Sequence, residues 1–247
     1  MRSRVRRAGL RRIVACVQNA QAPEIRALDT VQSVFAASHV LSQVWGGDRT
    51  GMPANLLRAL AHAGNYAFGV YDDDRMVGAS VAFFGPPADA VLHSHITGLL
   101  PEYRGQGSGR TLKLHQRAWA LEHGVQRITW TFDPLVARNA HFNLQVLGVR
   151  VTEYLVDHYG RMDDGVNRGD ESDRLMVSWE LAAARVDPGE VVASVAVPRD
   201  IEAVRSASAT DAAAWRVRVR EGMLAHLADG LVVGGFDDQR GYLFVRP

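Results

Sequence analysis

The spacing of apolar residues along the chain changes repeatedly between a helical period and strict alternation. From residue 31 to residue 41 apolar side chains recur at helical spacing behind Asp29 and Thr30, residue types that cap a helix. The pattern predicts further helices at 53–63 and from about Asn139, and strands at 66–71, 76–84, 90–100, 126–135, from Val149 and at 175–181. Together these elements predict an α/β fold with a mixed α+β sheet flanked by helices.

The last quarter of the chain repeats this alternation after a proline-containing break. The pattern there predicts a strand at 191–197, a helix at about 209–228 and two short strands at 231–236 and 242–246. We predict three regions: a basic N-terminal leader at 1–23, a main domain at 24–185 and a C-terminal α+β extension at 186–247. The extension is expected to pack on the core or at a subunit interface.

The boundary between the strand at 90–100 and the next helix is the most informative part of the sequence. The strand stops at a proline, and the turn that follows contains Gly105, Gly107 and Gly109. Glycine lets the main chain approach a ligand, and the start of a helix directs free N–H groups and the positive end of its dipole outward. The turn therefore predicts a pyrophosphate site made mostly of main chain, with Arg104 and Arg110 as flanking charges.

Other kinds of turn make different demands on the spacing of these residues. A dinucleotide fold needs Gly-x-Gly-x-x-Gly and an acidic residue about 20 residues later, and the spacing here is different. A nucleotidase loop needs Gly-Lys followed by Ser or Thr, whereas Lys113, the single lysine, lies well inside the helix. A plain strand-to-helix turn that uses glycine only for its geometry stays open.

Arg104, Gly107 and Gly109 fit the acyl-CoA motif of the GNAT N-acyltransferases: Arg or Gln, two residues, Gly, one residue, then Gly or Ala. The order of elements over residues 24–181 also resembles that family. The resemblance implies a GNAT-like central sheet, acetyl-CoA or another acyl-CoA as co-substrate, and a cleft where strands 90–100 and 126–133 part. It implies cofactor contacts from Leu99, Leu100, Arg104, Gly105, Gln106, Gly107, Ser108, Gly109, Arg110 and Asn139. Asn139 equally fits a plain helix cap.

Acyl transfer to an amine needs a base near the thioester. Alternation along the strand predicts that His93, His95 and Thr97 share one face, and His95 is the candidate base because imidazole titrates near neutral pH. Asp133 is a weaker candidate.

The family's usual proton donor is absent from its expected position. Many of the resembling proteins carry a tyrosine four residues before the glycine that ends the post-Asn helix, and this chain has Leu144 there. Tyr154 or Tyr159 is the candidate replacement acid, or solvent assists the thiolate.

Arginines near the long polar segment at 157–174 are candidates for holding a substrate carboxylate. They are Arg161, Arg168 and Arg174. Arg174 adjoins the returning strand and is the preferred substrate-binding residue, although ion pairing with the many nearby acids is the alternative. His115, His123 and His141 lack metal-ligand spacing, and no metal is predicted.

Composition limits the remaining choices. A formal net charge of +1, with 47% hydrophobic and 22% charged residues, describes an ordinary globular protein without a general field for nucleic acid. No apolar run approaches the roughly 20 residues of a membrane span. The lone Cys16 excludes an internal disulfide and a cysteine zinc cage, which fits the cytoplasm. Arginine in place of lysine suggests a GC-rich bacterial genome.

These observations predict an acyl-CoA-dependent N-acyltransferase that moves an acetyl group to a primary amine by direct attack on the thioester. The expected partner is a small-molecule amine or an amino acid, without nucleic acid or membrane, and a homodimer is possible. Two alternatives remain: an N-succinyltransferase of amino acids, and a non-catalytic acyl-CoA-binding module.

Overall fold

The computed structural model describes residues 23–46, 51–160, 170–183 and 189–247. The strands are β1 (Glu24–Ala27), β2 (Tyr66–Asp72), β3 (Arg75–Phe84), β4 (Val91–Leu99), β5 (Arg127–Phe132), β6 (Arg150–Leu155), β7 (Arg174–Glu180), β8 (Val191–Val195), β9 (Val232–Asp237) and β10 (Gly241–Val245). The helices are α1 (Val31–Trp45), α2 (Ala54–His62), α3 (Ser108–Glu122), α4 (Ala137–Ala140), α5 (Ile201–Ala207) and α6 (Ala209–Ala228), and α4 continues as a π-helical segment at His141–Leu147. The predicted leader lies almost wholly outside the described residues.

The main sheet has seven strands in the order β1-β2-β3-β4-β5-β7-β6. All neighbours are antiparallel except β4 and β5, which are parallel. Helix α1 covers one face, since a Cβ added at Gly98 of β4 would meet Val44 at 2.8 Å. Helix α3 covers the other face, where the Lys113 ammonium lies 4.0 Å from the ring centre of Trp130. This arrangement confirms the predicted mixed sheet flanked by helices.

Strands β4 and β5 pair only at their beginnings. The paired residues are Val91 with Arg127, Leu92 with Ile128 and His93 with Thr129. Beyond His93 and Thr129 the two strands have no ladder between them, and we call this gap the fork. Because β4 and β5 lie in the middle of the sheet, the fork leaves main-chain N–H and C=O groups of both strands without the strand-to-strand hydrogen bonds that they would normally make there.

A β-bulge changes the predicted face pattern of β4. Val81 of β3 lies opposite Ile96, but the next residue, Ala82, lies opposite Ser94, so His95 is the extra residue. Beyond the bulge the alternation is reversed, and Thr97 points to the α3 face, where its hydroxyl is 2.8 Å from that of Ser80. The prediction that Thr97 shares a face with the two histidines is therefore wrong.

The region predicted as a C-terminal extension forms its own three-stranded sheet, ordered β8-β10-β9. Its apolar side chains, including Val219 of α6 and Phe244 of β10, belong to the same buried cluster as Leu144 and Trp130 of the main domain. The Tyr242 hydroxyl donates to the Pro134 carbonyl at 2.8 Å. The extension thus packs on the core as a separate sheet. Within the described ranges, no helix has the length and apolar character needed to cross a membrane.

Candidate acyl-CoA site and catalytic fork

The glycine turn adopts a main-chain conformation that glycine favours. Gly105 and Gly107 have φ values of 75° and 84°, in the left-handed region, and Gly107 stands directly before the first residue of α3. A Cβ added at either position would meet nothing within 4 Å, so the turn needs glycine for its dihedral angles and faces open space. Gly109, by contrast, lies inside the helix without a positive φ. The turn therefore presents a bare main-chain surface to the solvent.

The N–H groups of this turn are not used by the protein. In the part of the chain that the structure describes, none of the amides from Gly105 to Arg110 donates to a protein acceptor, and the first engaged amide is that of Thr111, 3.0 Å from the Gly107 carbonyl. These free donors coincide with the positive end of the 15-residue helix α3. Such an arrangement is suited to a doubly charged anion such as a diphosphate.

Two of the predicted cofactor residues, Arg104 and Leu100, form hydrogen bonds at the end of β4. The Arg104 side chain donates from Nε to the Leu99 carbonyl at 2.9 Å, which holds the turn against β4. The Leu100 N–H donates to the Val77 carbonyl at 2.9 Å, and its own carbonyl accepts from Tyr103. The Leu100 main chain is thus engaged within the protein, and its contact with the cofactor stays a prediction that these bonds do not favour. Because successive residues of a strand alternate, the Leu99 N–H faces the fork instead.

The remaining polar residues of the turn differ in their surroundings. The Gln106 side chain donates to the Glu102 carbonyl at 2.9 Å and so closes the turn. Ser108 is buried at the start of α3, whereas Arg110, two residues later, is exposed. Arg110 is thus the guanidinium with the freest access to an anion held by these amides.

Asn139 lies on the opposite side of the fork, in α4 after the end of β5. The helix is capped by Val136 without a side-chain hydrogen bond, so the cap role for Asn139 is wrong. Its N–H donates to the Val136 carbonyl at 2.9 Å. Among the described residues its half-buried side-chain amide has no hydrogen-bond partner, which leaves it available to a ligand.

The α1 face of the fork carries the candidate base. His93 Nδ1 lies 3.2 Å from the Thr129 hydroxyl at the last paired position, and Phe83 contacts both imidazoles, with ring-centre distances of 5.2 Å to His93 and 5.8 Å to His95. Burial, helped by the charges of His95 and Lys113, lowers the pKa of His93 to about 4. Partial desolvation also lowers the pKa of His95, although its side chain stays exposed at the bulge. Both imidazoles are therefore neutral at pH 7.

Tyr159 lies on the same face as the two histidines. Its hydroxyl is 3.1 Å from that of Thr131, which is two residues beyond the last β4–β5 pair and points away from α3. The ring is 46% exposed. This tyrosine is positioned beside the open part of the fork, as a proton donor or an acceptor-binding group would be.

Tyr154 and Asp133 make their side-chain contacts in the interior, near the C-terminal extension, and not at the fork. The Tyr154 hydroxyl donates to Asp173 at 2.7 Å in the buried contact with the extension, and burial raises its pKa. Burial alone would raise the pKa of Asp133, but Arg216 and Arg205 lower it to about 2. The roles predicted for Tyr154 as an acid and Asp133 as a base stay predictions that the structure does not favour, because each side chain is committed to a partner in the interior.

Arg174 does not present its guanidinium to solvent. It is 7% exposed, donates to the Asp173 carbonyl at 2.8 Å and lies 5.4 Å from the ring centre of Tyr159. Its role as a clamp on a substrate carboxylate stays a prediction, which this burial does not favour, and the guanidinium packs near the ring of Tyr159. The other two candidates, Arg161 and Arg168, fall outside the described residues.

The geometry of this site agrees with a family model and with solved structures. Residues 36–148 match the model of the acetyltransferase (GNAT) family. The chain carries a GNAT acetyltransferase domain. Its central sheet, with the fork between β4 and β5, has the GNAT fold. No curated protein sequence matches the chain significantly.

Solved GNAT structures cover about two thirds of the chain. The ribosomal-protein-S18-alanine N-acetyltransferase of Escherichia coli is 15% identical, with a TM-score of 0.53 over 66% of this chain and 96% of that one. A putative GNAT acetyltransferase from Desulfovibrio desulfuricans is 17% identical, with a TM-score of 0.52 over 65% and 100%. A putative acetyltransferase from Salmonella typhimurium, solved with acetyl-CoA, is 18% identical, with a TM-score of 0.50 over 67% and 99%. At sequence identities of 15% to 18%, the structural similarity establishes the fold alone.

One departure from the GNAT pattern is visible in the structure. Leu144 lies in the π-helical segment after α4 and is 5% exposed among core residues, so the position of the usual tyrosine carries no proton donor. Among the described residues no group of three or more His, Cys, Asp or Glu side chains could hold a metal ion. The two alternatives for protonating the thiolate, another group of the protein or solvent, both stay open.

Proposed function

We propose that the GNAT domain binds acetyl-CoA with its diphosphate on the amides of Gly105 to Arg110 and transfers the acetyl group directly to a primary amine. The observation that carries this proposal is the run of unengaged N–H groups at the positive end of α3, next to an open fork. The fork runs along β4 from Ser94 to Leu99, about 16 Å at about 3.3 Å per residue, which suits an extended pantetheine arm.

In this arrangement the protein supplies orientation and one proton acceptor. The Leu99 N–H and the Asn139 amide hold the arm, so that the thioester lies toward the closed end of the fork near His93 and Thr129. His95, neutral at pH 7, takes the proton of the attacking ammonium directly or through water. The amine nitrogen then bonds to the carbonyl carbon and loses its second proton to solvent, while the C–S bond breaks and the sulfur leaves with the electron pair.

The alternatives differ in what the structure offers them. Succinyl transfer was favoured by Arg174 as a carboxylate clamp, and the burial of Arg174 removes that support. A non-catalytic binding module is favoured only by Leu144 in place of tyrosine, while the neutral histidines at the fork favour an enzyme. Acetyl transfer to a small amine or amino acid is the function that the geometry supports best.

The direct test is a turnover assay. Release of the CoA thiol from acetyl-CoA and from succinyl-CoA is measured over a panel of amines and amino acids, and CoA binding is measured by calorimetry. We expect binding, and thiol release that depends on an amine. Binding without amine-dependent release would support the non-catalytic module, and absence of CoA binding would overturn the proposal entirely.

Replacing His95 tests the assignment of the base. Because desolvation lowers the pKa of His95, the acid side of the wild-type pH–rate profile should rise through a midpoint below 6.5. His95→Ala should lower the rate at pH 7 by about 100-fold and abolish that midpoint, as removal of a general base does. His123→Gln, at the exposed end of α3 against Trp119, is the control and should leave the profile unchanged. An unaltered pH profile in His95→Ala would exclude His95 from the mechanism.

A further inference from the structure

The only lysine of the chain is buried. Lysine occurs once among the 28 Lys and Arg residues, and Lys113 is 6% exposed. Its Nζ donates to the Ser94 hydroxyl at 2.8 Å and to the Gln116 side-chain oxygen at 3.1 Å, and it lies 4.0 Å from the centre of the Trp130 ring. A buried lysine is uncommon in proteins and is normally paired with a carboxylate. Here every one of these contacts is with a neutral group.

The location of Lys113 is the second observation. The last β4–β5 pair is His93 with Thr129, so Ser94 and Trp130 are the first residues of the two strands beyond it. Lys113 contacts both of them from the α3 side. Its ammonium therefore closes the narrow end of the fork from one side, while His93 and His95 lie on the other.

The buried, neutral surroundings of the ammonium favour loss of its proton near neutral pH. Within the described ranges no carboxylate pairs with Nζ, and the titratable group that faces it across β4 is His93, whose pKa the lysine charge helps to lower. Lys113 Nζ contacts Gln116 on α3 and Trp130 on β5. The side-chain amide of Gln116 in turn donates to the Ser80 hydroxyl of β3 at 3.4 Å. Desolvation lowers the pKa of Lys113 to about 7. An ammonium of this kind can release a proton at physiological pH.

We propose that Lys113 is the proton donor to the CoA thiolate as it leaves. The inference rests on the proposed function, because it needs the thioester at the closed end of the fork. As the amine attacks and the C–S bond breaks, the sulfur takes the electron pair, and the Lys113 ammonium transfers one proton to it. The free thiol and a neutral lysine result. The ammonium proton of the amine passes to His95 before attack, the second nitrogen proton passes to solvent as the amide forms, and Lys113 regains a proton from solvent after the thiol departs. Lys113 thus fills the role left open by Leu144.

A single lysine allows a direct test on the unaltered protein. With lysine labelled by ¹³C at Cε, the folded chain should give one side-chain resonance that titrates with a midpoint near pH 7. Acetyl-CoA should shift this resonance, whereas adenosine 3′-phosphate 5′-diphosphate, which lacks the pantetheine arm, should not. If calorimetry detects acetyl-CoA binding but the resonance does not move, Lys113 is remote from the thioester and the inference is wrong. If acetyl-CoA does not bind, the proposed function fails first.

Substitutions separate proton donation from a structural role. Lys113→Met should lower the rate by about 100-fold at pH 7, with CoA affinity within a few-fold of wild type. The wild-type rate should fall above pH 7 as the lysine loses its proton, and this descending limb should be absent in the variant, so the two rates converge at high pH. Lys113→Arg keeps the charge but does not titrate, and it should not restore the rate.

A control variant keeps the Lys113 ammonium and removes one of its hydrogen-bond partners. Gln116→Met deletes one hydrogen-bond partner of Lys113, and it should lower the unfolding temperature but retain the descending limb. A rate loss in Lys113→Met that is constant at every pH, or rescue by Lys113→Arg, would show that the lysine only packs the fork. Either result would overturn the proposal.

Discussion

Gly107→Val is expected to lower the affinity for CoA by at least about 100-fold while the protein still folds. Gly107 has a φ of 84°, and a β-branched residue is strained there by about 1–3 kcal/mol. The side chain meets no protein atom within 4 Å of its Cβ, so it projects into the space assigned to the diphosphate. Loss of two charge-assisted hydrogen bonds at about 1.5–3 kcal/mol each accounts for the fall in affinity.

Gly109→Ala is the matched control for this variant. Gly109 lies within α3 without a positive φ, and an added Cβ would be 4.0 Å from the Leu99 and Phe142 side chains, an ordinary contact. Alanine in a helix is more favourable than glycine by about 1 kcal/mol, so stability should rise slightly and CoA affinity should change little. Calorimetry with CoA and thermal unfolding of both variants provide the measurements. Wild-type affinity in Gly107→Val would place the diphosphate elsewhere.

The fold was largely predictable because its signals are local. Thr30 caps α1 as predicted, with its hydroxyl accepting from the Ser33 N–H at 3.0 Å. The predicted helix at 53–63 is observed as Ala54–His62, and the strand at 90–100 as Val91–Leu99. The short elements β1 and α5 were not predicted, because each has too few residues to show a period. The conformation of the turn after β4 likewise depends on glycines within a few residues of one another.

The site was less predictable because it depends on long-range contacts. The bulge at His95 exists only through the register of β3 against β4, and strict alternation in the sequence gives no sign of it. Asp133 pairs with Arg205 and Arg216, 72 and 83 residues later, and no local pattern indicates such partners. The sequence shows the single lysine, Lys113, but not that its side chain is buried beside the fork. A single lysine in an arginine-rich chain, on the inner face of α3, is informative once its burial is known.

Arg216→Met is expected to destabilise the protein by about 3–5 kcal/mol, the cost of leaving a buried charge without its partner. Arg216 is 1% exposed and donates to Asp133 at 2.8 Å and to Asp170 at 2.8 Å. Arg205 binds the same two carboxylates, at 2.6 Å and 3.0 Å. These four side chains join α5 and α6 to the end of β5, where the C-terminal extension meets the GNAT domain.

The pair between Arg138 and Glu202 provides a control at the same junction. It also connects the GNAT domain to α5, at 2.6 Å, but its side chains are 55% and 40% exposed. Arg138→Met should therefore cost less than about 1 kcal/mol. Chemical denaturation of both variants measures the difference. If both variants lose equally little unfolding free energy, solvent must reach the Asp133 cluster.

The pH dependence of stability gives an independent check on the Asp133 cluster. Because the folded pKa of Asp133 is lowered to about 2 from 3.8, its contribution to stability is fully present above pH 3.8 and is lost as the pH falls toward 2. Arg216→Met removes the principal cation, so the folded pKa of Asp133 should rise and acid unfolding should begin at a higher pH. A variant with wild-type acid sensitivity would contradict this assignment. Since Asp133 lies between β5 and α4, the same loss of order should reach Asn139 and weaken CoA binding, an effect that Arg138→Met should not produce.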